Sequence, residues 1–183
     1  MNRAEQPAIL VPIADVQSGR DERRIAIDRV GIKGLRYPLA FVDHDGVAHT
    51  TIATCNVYVA LPEDRKGTHM SRLVALLEER ASPDVEPIAV ATMRDVVEDL
   101  LVRLDTPGAR IELAFPFFVR KIAPVSGVAS LLDYDVRLTA ELVDGAYSHT
   151  IGVSVPVTSL CPSSKEVSAY GAHSQRSGQP RGR

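Results

Sequence analysis

Cys161 and His173 are the two residues of this chain whose types and spacing best suit chemistry. They stand twelve positions apart in the run VPVTSLCPSSKEVSAYGAHSQRS, residues 155–177. A soft thiolate and an imidazole on one short segment suit a borderline metal such as zinc or iron. The segment holds no second cysteine, so a closed four-thiolate structural site is excluded. An open catalytic site that keeps a bound water remains. Such a site commonly takes three protein ligands, and no third one stands out in this run. Pro162 fixes the turn after Cys161 and points the cysteine off the preceding strand. A metal would deprotonate the thiol, which makes binding pH-dependent. A short helix or turn between them would bring His173 back towards Cys161; the plainer reading is a buried or incidental thiol and a surface histidine near a frayed end.

A second group of residues suits an anion. The run KGTHMSR places Lys66, Thr68, His69 and Arg72 at the start of a helix. Unpaired backbone N–H groups at a helix start, with cations nearby, can hold phosphate. Solvated charges on an exposed cap would account for the same residues. Lys121 and Ser126, around APVSG, are weaker candidates, because the following glycine allows either close ligand approach or an ordinary turn. Lys165 and Arg176 add cations close to the cysteine–histidine pair. Asp133 and Asp135 alternate with apolar residues and read as one polar strand face.

These residues need elements to position them. Leu35, Tyr37, Leu39 and Phe41 alternate as in a half-buried strand. His44-Asp-Gly46 supplies a turn, and a second strand follows through Val47, Val57 and Val59. Cys55 falls in that strand's pattern and reads as a small buried hydrophobe. Met70, Leu73, Val74 and Leu77 mark one face of a helix over about 69–80. Thr92 is the expected N-cap of a second helix carrying Val96, Val97, Leu100, Leu101 and Leu104, which Pro107-Gly108 ends. Strands return with Ile111 to Val119, Leu132 to Leu142 and Tyr147 to Val157, the last two joined at Asp144-Gly145. Pro116 predicts an edge or a bulge. Short links between neighbouring strands favour an antiparallel sheet with both helices on one face, an α+β sandwich of two layers.

Composition sets outer bounds. The chain has 183 residues, enough for one domain or one plus a fragment, and 45% hydrophobic residues. Tryptophan is absent and aromatics are few, so aliphatic side chains must fill the core. A net charge of −2 argues against general nucleic-acid binding. Two cysteines make no disulfide framework. The apolar stretch 8–16 is interrupted by Pro12 and Asp15, too short for a membrane span or signal peptide, which predicts a reducing cytoplasm.

Several strings resemble one family. IADVQSGRDERRIAIDRVGIKGLRYP from Ile13, KGTHMSR from Lys66, APVSGVASLLDY from Ala123 and the Cys161 segment are similar to the GTP cyclohydrolases of type IB. The family reads CPCSK where this chain has Cys161-Pro-Ser163-Ser-Lys165. The resemblance implies a tunnelling fold, whose sheets join across subunits into a barrel with helices outside, and hence a homo-oligomer. It implies a divalent metal (zinc, iron or manganese) on Cys161 and His173, and conversion of GTP and water to 7,8-dihydroneopterin triphosphate and formate, the first step of tetrahydrofolate biosynthesis. It further implies that the remaining site residues lie in a second half-domain, for which no stretch here offers a match. The expected division is an N-terminal arm over 1–24, a half-domain over 25–158, and a metal-motif segment with a disordered tail over 159–183. Two alternatives stand beside this: a catalytically incomplete fragment or assembly partner of the family, and a nitrile reductase of the same fold that uses a cysteine nucleophile.

Overall fold

The computed structural model describes residues 19–122, 126–160 and 174–176, with the backbone alone at 158–160 and 174–176. Element order is β1 (Ile27–Val42), β2 (Ala48–Leu61), α1 (Met70–Ala81), α2 (Met93–Leu104), β3 (Gly108–Ile122), β4 (Ala129–Val143) and β5 (Ala146–Ser154). Two short strands follow, β6 (Thr158–Leu160) and β7 (Ser174–Arg176). The first five strands form one antiparallel sheet in the order β1-β2-β3-β4-β5. Both helices pack on one face of it, α1 against β1 and α2 against β2, β3 and β4. The architecture is an α+β sandwich of two layers.

Alternation explains which face the helices cover. Leu39 and Phe41 of β1, Ala53, Cys55, Val57 and Val59 of β2, and Ile111, Leu113 and Phe115 of β3 are buried, while their neighbours point to the other side. In a strand, successive side chains take opposite faces, so these residues form one apolar surface. Leu73, Leu76 and Leu77 of α1 and Met93, Val96, Val97 and Leu100 of α2 meet it. Their three- and four-residue spacing puts them on single helical stripes. No charged or polar residue is buried among the described residues.

Local details differ from the sequence expectations in five places, the first being α1, where Met70 and Val74 are exposed and Leu76 is buried with Leu73 and Leu77. Strand β1 begins at Ile27, well before the alternating stretch at Leu35, because register shifts between Ile27 and Val30 and between Ile32 and Leu35 break the period there. Thr92 does not cap α2 with its side chain: its backbone is already helical, and its hydroxyl is bonded to the Ala89 N–H and carbonyl instead. The helix ends earlier than Pro107, at Asp105, which adopts a left-handed conformation (φ 48°) while Thr106 N–H donates to the Leu101 carbonyl. Strand β5 stops at Ser154 rather than Val157. The Asp144-Gly145 turn is as read, with positive φ at both residues, the backbone that suits the twist of a two-residue hairpin.

Pro116 sits inside β3, a strand with neighbours on both sides, yet the β2 ladder reaches only Ala114. Beyond that point β3 is paired with β4 alone, so the missing N–H of Pro116 faces no partner strand. Strands β3 and β4 run on together to Ile122 and Ala129 as a two-stranded ribbon.

Candidate functional site

The loop from Pro62 to His69 carries the first cationic candidates. It is braced by the N-terminal residues: Asp21 N–H donates to the Asp64 carbonyl at 2.9 Å and Lys66 N–H to the Gly19 carbonyl at 3.2 Å. Lys66 is exposed. Asp21 lies close enough that the Lys66 charge helps hold its carboxyl low, at about 2, although the main cause is its hydrogen bonding to Arg23. His69 is the N-cap of α1 and is half-buried, and the first turn of that helix contains no acidic residue. Arg72 is committed elsewhere. Its Nη1 donates to the Arg103 carbonyl at 2.8 Å, at the C-terminal end of α2. Arg65 donates from Nη1 to the Leu104 carbonyl at 3.2 Å and pairs with Asp105. Two guanidiniums thus satisfy the carbonyl end of α2, where a helix favours positive charge.

Ser126 lies at the other extreme of the sheet. It is exposed in the turn between β3 and β4, where its hydroxyl accepts from the Val128 N–H. Arg65 and Arg72 sit beside the start of β3, and β3 extends for 15 residues from there to Ile122. At about 3.3 Å per residue β3 spans at most roughly 45 Å, and the two candidate groups flank its opposite ends. One copy of the chain does not bring Lys66, His69 and Arg72 together with Ser126. Lys121 is placed over the Tyr134 ring, 5.9 Å from its centroid.

Cys161, His173 and Lys165 lie outside the described residues, and of Arg176 the backbone alone is described. What is described is the pairing on either side of them. Strands β6 and β7 are antiparallel, with Thr158 opposite Arg176, Ser159 opposite Gln175 and Leu160 opposite Ser174. The ladder therefore ends one residue before Cys161 and one residue after His173. Cys55, the other thiol, is fully buried, and burial pushes its pKa up to about 11. That environment makes it inert at neutral pH.

One cluster lies where the sequence predicts only a turn. Asp43, His44 and Asp45 offer ligand atoms within 4.8 Å of one another in the β1–β2 hairpin. The structure gives Asp43 a local role. Its Oδ1 accepts from the N–H groups of Asp45 and Val47, both at 2.9 Å, and its Oδ2 lies 2.8 Å from His49 Nε2. These bonds, led by that to His49, hold the Asp43 carboxyl below the usual range. The spacing of an aspartate before a glycine turn was the available signal. No helix among the described residues is long and apolar enough to cross a membrane.

Residues 13–179 match the family described as type I GTP cyclohydrolase FolE2. The chain is 54% identical over 171 residues to GTP cyclohydrolase FolE2 2 of Cupriavidus metallidurans, covering 93% of this chain and 61% of that protein. It is 50% identical over 173 residues to GTP cyclohydrolase FolE2 of Neisseria meningitidis serogroup C, serotype 2a, covering 94% and 56%. The Herminiimonas arsenicoxydans FolE2 is 52% identical over 165 residues, covering 90% and 61%. The chain thus spans somewhat more than half the length of the curated relatives it matches. With identity near one half along almost the whole sequence, the chain belongs to the type I GTP cyclohydrolase FolE2 family, a family of enzymes.

Proposed function

We propose that this chain acts in the conversion of GTP and water to 7,8-dihydroneopterin triphosphate and formate, the first step of tetrahydrofolate biosynthesis. The observation that carries this reading is the family match over residues 13–179, which includes Cys161 and His173. Relatives at 50–54% identity bear the name of that activity.

The donor set fits a borderline divalent metal, zinc, iron or manganese. The antiparallel pair β6–β7 supports it, because Leu160 and Ser174, the sequence neighbours of Cys161 and His173, stand opposite each other. These two side chains would hold the ion. When bound, it would supply an activated water and stabilise negative charge for attack at C8 of the guanine ring. Lys66 and the unshielded N-terminus of α1 would orient the triphosphate, with His69 beside them and Arg72 stiffening the helix from its α2 anchor. Lys165 and Arg176 would contact substrate close to the cysteine–histidine pair, and Ser126 would do so from the turn between β3 and β4. The placement of Lys66 and Ser126 near opposite ends of β3 within one copy favours a site completed between copies, and hence a homo-oligomer. The same reading places the protein in the cytoplasm, without nucleic-acid or membrane partners. Cys55 is too deeply buried to serve as the nucleophile of the alternative nitrile-reductase reading.

Two measurements test the proposal. Metal retained after dialysis should fall for Cys161→Ala and His173→Ala and stay unchanged for Cys55→Ala. Equal metal in Cys161→Ala and the parent removes the ligand assignment. Formate release from GTP should then be compared for the chain alone and for the chain co-expressed with the unmatched remainder of the Cupriavidus relative. Activity is expected to be weak alone and higher in the pair, since misplacement of about 1 Å already costs roughly a hundredfold. No formate in either arm, with metal bound, overturns the function.

A further inference from the structure

The face of the sheet away from the helices carries a closed circuit of side chains that begins and ends on β1. Gly34 N–H donates to Asn56 Oδ1 at 2.8 Å. Asn56 Nδ2 donates to Glu112 Oε2 at 3.0 Å. Arg110 joins two carboxylates, giving Nε to Glu112 Oε1 at 2.7 Å and Nη1 to Glu141 Oε2 at 3.0 Å. Arg29 closes the circuit, with Nη2 on Glu141 Oε1 at 2.9 Å. Asn56, Glu112 and Glu141 lie on β2, β3 and β4, so Arg29 reaches from one edge strand to a strand three places away. Asp28, Arg29, Tyr58, Gly108, Arg110 and Glu141 border one cleft on this face.

The part of β1 that the circuit holds is otherwise fixed by short stretches of ladder to β2 and by Val30 and Ile32 against the core. Ile27, Asp28 and Arg29 are exposed, and Val30 and Ile32 are only partly buried. Register shifts interrupt its ladder to β2 on both sides, between Ile27 and Val30 and between Ile32 and Leu35. At the second shift Gly34 has φ +74°, a backbone that side-chain-bearing residues rarely adopt. Between the shifts Gly31 lies so close to β2 that an added Cβ would stand 2.0 Å from the Val57 carbonyl oxygen. A ladder shifted on both sides and only two partly buried apolar residues leave room for charge-assisted bonds to help fix the segment's position. Just upstream, Arg24 pairs with Glu63, and Asp21 and Gly19 bond the backbone of Asp64 and Lys66.

We propose that Ile27–Gly34 is a strap latched to the polar face of the sheet by Arg29, Glu141, Arg110, Glu112 and Asn56, and that the latch fixes the loop carrying Lys66 through the arm that precedes the strap. Hydrogen exchange on the full chain tests this with Arg29→Gln, Glu141→Gln and Asn56→Ala. Arg29→Gln and Glu141→Gln should speed exchange of amides 25–33 and 63–66 by roughly tenfold. Asn56→Ala should act chiefly on 33–35, where the Gly34 bond is lost. Amides of α1, α2 and residues 138–142 should stay near their parent rates in all three. Arg29→Lys, which keeps the charge and loses the fork, should fall between parent and Arg29→Gln. Unchanged exchange at 25–33 in Arg29→Gln and Glu141→Gln overturns the latch. Faster exchange spread evenly over the sheet overturns it as well, because the circuit would then be a general support. Faster exchange at 25–33 with 63–66 unmoved overturns the link to the Lys66 loop.

Discussion

The two halves of β3 are one strand in two environments. From Gly108 to Phe115 every second side chain is buried under the helices, with β4 paired throughout and β2 paired from Ala109 to Ala114. From Pro116 to Ile122 β4 alone pairs, and Phe118 and Ile122 are 53% and 68% exposed. Both halves alternate, and both are rich in apolar residues. What separates them is cover: α2 lies over the first half and no described element lies over the second. Alternation therefore reports a pleated strand with two unlike faces, and says nothing about what is placed against either face.

The largest expected effect comes from cutting into the covered half. Leu113 is buried against the helices, and Leu113→Ala should cost about 2–4 kcal/mol, read from urea unfolding midpoints. Phe118→Ala, in the uncovered half, should stay within about 0.5 kcal/mol. Light scattering sharpens the contrast. If the ribbon is buried between copies, Phe118→Ala should shift the assembly towards smaller species while the subunit keeps its fold. Equal losses of stability at Leu113 and Phe118 in a monomeric sample would break the comparison.

A smaller effect is expected at the boundary itself. The ladder between β2 and β3 stops at Thr54 opposite Ala114, two residues before Pro116, and the Pro116 carbonyl accepts from Thr51 Oγ1 at 3.2 Å. Pro116→Val restores an N–H and adds a β-branched side chain, so the ladder should grow by a pair. Amide exchange at 116–118 should slow, with a stability change below about 1 kcal/mol. No slowing would show that the strands diverge because of their twist rather than the proline.

How much of this was legible follows from the same distinction. The helices were readable because Val96, Val97, Leu100 and Leu104 repeat at a helical period and are all buried. The start of β1 was not, because its two register shifts erase the period over Ile27–Leu35 and its residues are mostly exposed. The cap at Thr92 was misjudged because residue type alone does not fix the φ and ψ of the capping position. Cys161 and His173 were singled out by residue type. The pairing of Leu160 with Ser174 was hidden, since three-residue strands are too short to show alternation. Arg72 looked like a free cation because its acceptor, the Arg103 carbonyl, lies 31 residues away on another element.

The smallest effect concerns charge on the covered half of β3. Glu112 lies on the polar face of that half, where it accepts from Asn56 and Arg110. Its pKa is lowered, first by the Asn56 bond and then, against the cost of partial burial, by Arg110. A carboxylate whose folded pKa is depressed binds its proton more readily in the unfolded chain. It therefore adds stability above the ordinary glutamate pKa, and this stability is lost as pH falls through the folded value. Its side chain remains 32% exposed, so solvent screens the interaction and the contribution should be under about 1 kcal/mol. Glu112→Gln should lower the unfolding midpoint slightly at pH 7 and change it little at pH 3, giving a shallower loss between pH 5 and pH 3 than the parent. High salt should shrink the difference between the two proteins. Parallel acid profiles for parent and Glu112→Gln would mean that Glu112 contributes shape rather than charge, and that the covered half of β3 owes its stability to its apolar face alone.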